Sequence, residues 1–155
     1  MSIRRNNSGV RAVVRAIAVV AAISACDSAL SPTASLSDAR QRWADKGPAA
    51  YSIDLFRSCE CTAEMSGPVV VNVQNGTVQS RAYRGGSIVP PNMAPLFPSV
   101  EGLFDLIADA AERRAHRLEV RYDRDLGYPA WLVIDYDKAI ADDEFTYSVM
   151  AFRRL

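Results

Sequence analysis

The chain has 155 residues, 18 basic against 18 acidic side chains, one histidine and three cysteines, and 49% of its residues are hydrophobic. That is enough for a single hydrophobic core and short for two. A charge balance without basic excess argues against a nucleic-acid partner, whose binding rests on clustered Lys and Arg neutralising phosphates.

Residues 1–25 carry four arginines (Arg4, Arg5, Arg11 and Arg15) and no acidic residue, followed by an apolar run from Ala16 to Ile23 and then Ser24 and Ala25. Charged, apolar and small in that order describes a secretory signal peptide. The apolar run has eight residues, whereas a helix needs roughly 20 to cross the hydrocarbon core, so a permanent span is not expected. The junction Ile23-Ser24-Ala25-Cys26 resembles the lipobox, in which the cysteine thiol accepts a diacylglycerol and becomes the new N-terminus. An ordinary signal peptide, or an N-terminal helix with an incidental cysteine, is the alternative. Arg4-Arg5 hints at twin-arginine export, but Asn6 and Asn7 stand where hydrophobic residues belong.

Removal of 25 residues leaves 130, and loss of four arginines turns the balance into 14 basic against 18 acidic, a net −4. The two or three acyl chains of a lipoprotein hold a soluble domain firmly at a membrane, since each buried methylene adds about 0.8 kcal/mol. Asp27 resembles an inner-membrane retention signal, and it tilts the choice between membranes without deciding it. The expected location is the exported side of a membrane, periplasmic or at the cell surface. With Cys26 lipidated, Cys59 and Cys61 can pair with each other, pair between molecules or stay free, in a compartment where disulfides persist.

Residues 26–35 are small and polar after the cysteine and read as a tether, with a single domain over 36–155. Leu36 to Lys46 is predicted as a helix, with Ser35 and Asp38 resembling a capping box, Trp43 as its apolar anchor, and Gly47-Pro48 ending it. From Tyr51 the period becomes two, with Tyr51, Ile53 and Leu55 on one face and Ser52 and Asp54 on the other. If the strand runs on, Cys59 and Cys61 share the Tyr51 face. Val69, Val71 and Val73, then Asn75-Gly76, then Val78, Ser80 and Ala82 predict a β-hairpin with a type I′ turn and one valine-rich face.

Residues 84–98 hold two glycines and four prolines and read as an irregular loop. A helix follows, capped by Ser99, with Glu101 and Asp105 suited to its positive end and Val100, Leu103, Phe104 and Ile107 at helical spacing. It is expected to end near Arg113 to His116. Three strands close the chain: Leu118, Val120 and Tyr122; Ala130 to Tyr136, after a turn through Gly127 and Pro129; and Phe145 to Phe152. Helix-then-meander, twice over, implies an α+β domain, with an antiparallel sheet of about five to six strands packed on one face by one or two helices.

Cys59-Glu60-Cys61 is the main chemical candidate. In a fully extended strand the two Cα atoms lie about 6.6 Å apart, at the outer limit of disulfide geometry, so a bond would need a bend and would be strained. Structural disulfide, redox pair and thiol–metal pair all remain open, though His116, the sole histidine, has no motif tying it to the cysteines. His116 reads as a helix-end or surface residue; no Ser/His/Asp or Cys/His motif surrounds it. Asp123, Asp125, Asp135, Asp137, Asp142, Asp143 and Glu144 could gather around calcium. However, the loop lacks its third ligand, Ile134 stands where the bidentate glutamate belongs, and turn aspartates serve conformation. Gly85-Gly86 has no phosphate-loop context. Tyr128, Trp131, Tyr136 and Tyr147 read as core or strand-pair aromatics, or as lining of a peptide or sugar groove.

With these residues in view, positions 40 to 153 resemble the bacterial family catalogued as domain of unknown function 6174. The features are Trp43; the Tyr51 strand running into Cys59-Glu60-Cys61; the valine strand ending at Asn75-Gly76; Val100-Glu101-Gly102-Leu103-Phe104; Tyr122-Asp123; Gly127-Tyr128-Pro129; Ile134-Asp135; and Tyr147 to Phe152. The resemblance implies a small secreted or lipid-anchored α+β domain and brings no activity or catalytic residue. The expected function is therefore a non-enzymatic envelope lipoprotein, partnered by the membrane through its lipid and by an envelope protein or peptide, with no metal or cofactor. The alternative is a thiol redox or metal-handling protein acting through Cys59 and Cys61.

Overall fold

The computed structural model describes residues 32–140 and 143–155. The signal peptide, Cys26 and the tether up to residue 31 lie outside the described residues. Within them, helices α1 (Pro32–Lys46), α2 (Ala63–Ser66) and α3 (Val100–Glu112) accompany strands β1 (Ala50–Ser58), β2 (Val69–Gln74), β3 (Thr77–Tyr83), β4 (Arg117–Tyr122), β5 (Pro129–Asp135) and β6 (Phe145–Arg154). The six strands form one antiparallel sheet in the order β3-β2-β1-β6-β5-β4. Each predicted meander is present, and the two are joined through β1 and β6 at the centre of the sheet.

One face of the sheet carries the core. Tyr51, Ile53 and Leu55 of β1 and Val69, Val71 and Val73 of β2 are buried against Leu36, Ala39 and Trp43 of α1 and Val100, Leu103, Phe104 and Ile107 of α3. α3 begins as expected, the Ser99 hydroxyl accepting from the Gly102 amide at 3.2 Å. α1 begins earlier than expected, at Pro32. Ser35 is thus inside the helix and is not its cap, because proline, lacking an N–H that the first turn would leave unpaired, is well suited to start one.

The predicted hairpin turn is present, and three further departures lie around it. The hairpin turns at Asn75 (φ 50°) and Gly76 (φ 73°) as a type I′ turn requires. The pairing then shifts between Asn72 and Val73, where Val73 faces Val78 and Asn72 faces Ser80. This bulge sends Ser80 and Ala82 away from the core and turns Arg81 and Tyr83 toward it, where Arg81 donates to the Phe97 carbonyl (2.6 Å) and Tyr83 meets the Phe97 ring edge-on. Residues 84–98, expected to be irregular, include a 3-10 turn at Ala94–Leu96 and bury Val89 and Phe97 beneath the β1–β3 half of the sheet. The β1 strand does not run on to the cysteines; it stops at Ser58 and α2 follows.

α1, β1 and α3 converge on one carboxylate. Glu101 accepts from Trp43 Nε1 (3.0 Å) and from the Tyr51 hydroxyl (2.7 Å), while that hydroxyl accepts from the Val100 amide (3.0 Å). Burial and the neighbouring Glu101 raise Tyr51 far above the usual phenol range, so it stays a donor. Around this centre Tyr51 stacks on Phe152 (5.5 Å), Phe152 on Tyr128 (4.9 Å), and Trp43 meets all three edge-on.

Gly127 separates backbone strain from crowding. Its φ is +84°, and a Cβ there would come within 2.6 Å of the Ala39 carbonyl oxygen and 3.0 Å of Arg42 Cβ, whereas Gly76 has open space around it. Gly76→Ala is expected to cost about 1 kcal/mol from the left-handed backbone alone, and Gly127→Ala about 2–4 kcal/mol because α1 must also move away. Urea unfolding of the two variants checks this; equal losses would contradict it.

Candidate functional site

Cys59 and Cys61 lie in a tight turn at the end of β1. The Cys61 amide donates to the Cys59 carbonyl (2.9 Å), a three-residue turn. It draws the two Cα atoms to 5.2 Å, inside the range a disulfide spans, and their Sγ atoms touch. The bend that an extended strand lacked is therefore present. Both cysteines are half-exposed.

Arg57 completes the site. It continues the Tyr51, Ile53, Leu55 alternation and is the last residue of β1 on that face, paired with Tyr147 of β6. Its Nη1 lies 2.6 Å from Cys59 Sγ and 3.7 Å from Cys61 Sγ. The guanidinium carbon sits 5.2 Å from the centre of the Phe145 ring. Below it Tyr147, 4% exposed, donates to the Leu96 carbonyl (2.8 Å); burial raises this phenol and the Arg57 charge partly offsets the rise. From α2, the Ser66 hydroxyl stands 3.4 Å from Cys61 Sγ and bonds the Thr62 carbonyl. Sequence reasoning passed over Arg57, although a basic residue two positions before a strand-end cysteine shares its face and is a recognisable signal.

The other candidates are dispersed. His116 is exposed in the turn before β4, its amide bonded to the Tyr136 carbonyl. β4 is three strands from β1, roughly 14 Å at the usual strand spacing. Asp123 accepts from the amides of Asp125 (3.0 Å) and Leu126 (2.7 Å), Asp137 from Ala139, and Asp143 from Asp137, so these carboxylates hold turns. Asp142 lies outside the described residues. Among the described residues no group of three or more His, Cys, Asp or Glu side chains is placed to hold a metal ion. Tyr128 and Tyr147 are core aromatics, and Tyr136 closes the end of α3, donating to Asp109 (2.8 Å) under Arg113. Burial and Asp109 push Tyr136 up to about 12. Trp131 lies on the sheet face opposite the helices, with the Arg121 guanidinium 4.5 Å above its ring.

The same face holds a buried charge. Asp54, 5% exposed, receives both arms of Arg153 (2.7 and 3.2 Å) and Arg84 (3.3 Å). The Arg153 hydrogen bond, against the opposing effect of burial and with Arg84 assisting, holds its carboxyl below the ordinary value.

The model of the family of unknown function DUF6174 matches residues 35–154, taking in every feature on which the resemblance was drawn. No curated protein and no solved structure matches the chain.

Because the folded carboxyl of Asp54 lies below its unfolded value near 3.9, its stabilisation is complete above that pH and is lost as pH falls through the folded value. Asp54→Asn is expected to lower stability by about 1–2 kcal/mol at neutral pH and to converge on the parent once the pH has fallen below the lowered value of the folded carboxyl. Thermal melts across pH check this; an equal deficit at both ends would contradict it.

Proposed function

This chain belongs to DUF6174, a family of unknown function, and we propose that it is an exported envelope lipoprotein, anchored through lipid on Cys26, whose single domain binds an envelope protein or peptide. The observation that carries the reading is the disposition of three cysteines. Two of them touch at the open end of β1, an arrangement that persists as a disulfide in an oxidising compartment, and the third stands at a lipobox behind a charged, apolar, small leader. The composition of the mature part, net −4, suits a soluble module, and no described helix is long and apolar enough to cross a membrane.

With α1 beginning at Pro32, residues 27–31 separate it from the anchor. Five residues reach at most roughly 17 Å even when extended, so the domain stays close to the bilayer surface. An envelope partner would meet the sheet face opposite α1 and α3. There Phe56, Ser148 and Trp131 form a cross-strand row, with Arg121 over the tryptophan, an aromatic and arginine mixture favoured at protein interfaces. This reading leans away from catalysis of its own and calls for no cofactor.

Labelling cells with radioactive palmitate tests the anchor. Label is expected on the wild-type protein and its abolition by Cys26→Ala, with the protein shifting to the soluble fraction or accumulating as precursor. Label that survives Cys26→Ala would overturn the assignment.

A further inference from the structure

A disulfide serving only as a staple has no need of a cation against its sulfurs, and this one has Arg57. The guanidinium is set by its place on the core face of β1 and by Phe145 and Tyr147 of β6, both of which it contacts. A guanidinium 2.6 Å from Cys59 Sγ favours thiolate over thiol at that sulfur. Its contact with Cys61 Sγ is longer, 3.7 Å, so the two sulfurs are electrostatically unequal. Both lie in a half-exposed turn at the end of the sheet, within reach of another molecule.

We infer that Cys59 and Cys61 form an exchangeable dithiol–disulfide pair acting on cysteine thiols of other exported proteins, with Arg57 making Cys59 the sulfur that leaves as thiolate. The inference rests on the exported location proposed above and adds the chemistry of the partner, which is a pair of thiols. A client thiolate attacks Cys61 Sγ. The Cys59–Cys61 bond breaks with its electron pair on Cys59 Sγ, against Arg57, and a mixed disulfide forms between the client and Cys61. A second client thiolate attacks the client sulfur of that bond, closing the client's disulfide and expelling Cys61 as thiolate. The Ser66 hydroxyl, 3.4 Å away, is placed to turn its hydrogen toward that sulfur before it takes a proton from water. The client gives up two electrons and two protons. The pair accepts both electrons and one proton, since Cys59 stays ionised beside Arg57, and the other proton goes to solvent. Besides Arg57, Glu60 stands between the two cysteines in the turn, Glu64 lies three residues after Cys61 in α2, and Tyr147 of β6 contacts Arg57.

Two measurements on lipoprotein purified from solubilised envelope test this. In the first, the unsubstituted protein is equilibrated in mixtures of reduced and oxidised glutathione, alkylated and weighed by mass spectrometry. Interconversion of the two forms within such buffers is expected; a pair still fully oxidised in a large excess of reduced glutathione would overturn the inference. In the second, the pH dependence of iodoacetamide alkylation is compared for the single cysteines. Cys59, left alone in Cys61→Ser, is expected to titrate at least about one unit below Cys61 in Cys59→Ser. Adding Arg57→Gln should abolish the difference and Arg57→Lys, which keeps the charge, should retain most of it. Equal midpoints, or a difference indifferent to Arg57→Gln, would overturn the assignment to Arg57. Palmitate labelling judges the anchor separately, so a failure of either reading is distinguishable from a failure of the other.

Discussion

The carboxylate of Glu101 ties the domain together. It lies in the first turn of α3, where the helix dipole favours negative charge, and it accepts hydrogen bonds from Trp43 of α1 and Tyr51 of β1, residues 58 and 50 positions away. Hydrogen bonds to a charged group are each worth about 1.5–3 kcal/mol, and a buried indole or phenol left without one incurs a comparable loss. A single side chain thus sets how both long helices sit on the sheet. It also reinforces the facing set by the apolar alternation of β1, because Tyr51 reaches Glu101 from the side that buries Ile53 and Leu55.

That choice of face propagates along the strand. With Tyr51 inward, Ile53, Leu55 and finally Arg57 are inward too, while Ser52 and Asp54 occupy the other side. At Arg57 the core thins out at the end of the sheet, which lets a guanidinium emerge between Phe145 and the cysteine turn. β6 must present Phe152 at one end and Tyr147 and Phe145 at the other to the same core. Strict alternation forbids it. The register shift between Asp54 and Leu55 resolves the conflict: Ala151 pairs with Asp54 and Val149 with Leu55, and the intervening Met150 is pushed out to 57% exposure. Without that extra residue, Phe145 and Tyr147 would point away from Arg57 and the site would not exist.

Much of this was legible from residues alone where the cause is local. The Asn75-Gly76 turn, the Ser99 cap with Glu101 and the apolar spacing of α3, and the alternation of β1 and β4 are short-range patterns, and the six-stranded α+β sheet follows from their order. What was not legible depends on contacts distant in sequence or on one-residue slips. No local signal says that β1 pairs with β6. The bulges did leave traces, in the three-residue step from Val149 to Phe152 and in Arg81 and Tyr83 following Val78 out of phase, but a bulge is confirmed only by the partner strand. Phe97 was hidden in a proline-rich stretch because its burial depends on Tyr83 and Arg81, which that bulge turns inward. For the cysteines, the spacing correctly demanded a bend. The identity of their neighbour required knowing that Arg57 sits on the Tyr51 face at the strand's end.

In the proposed reading the three cysteines serve two separate ends: Cys26 carries the lipid, and Cys59 and Cys61 pair with each other beside Arg57. Intact-mass spectrometry of the protein extracted from envelope directly into an alkylating agent without reductant tests that division most directly. The predicted species begins at Cys26, carries acyl mass there, bears no alkyl group, and is two hydrogens lighter than the fully reduced chain. A species retaining residues before Cys26, or one whose Cys59 and Cys61 are still alkylated after prior exposure to excess oxidised glutathione, would contradict it.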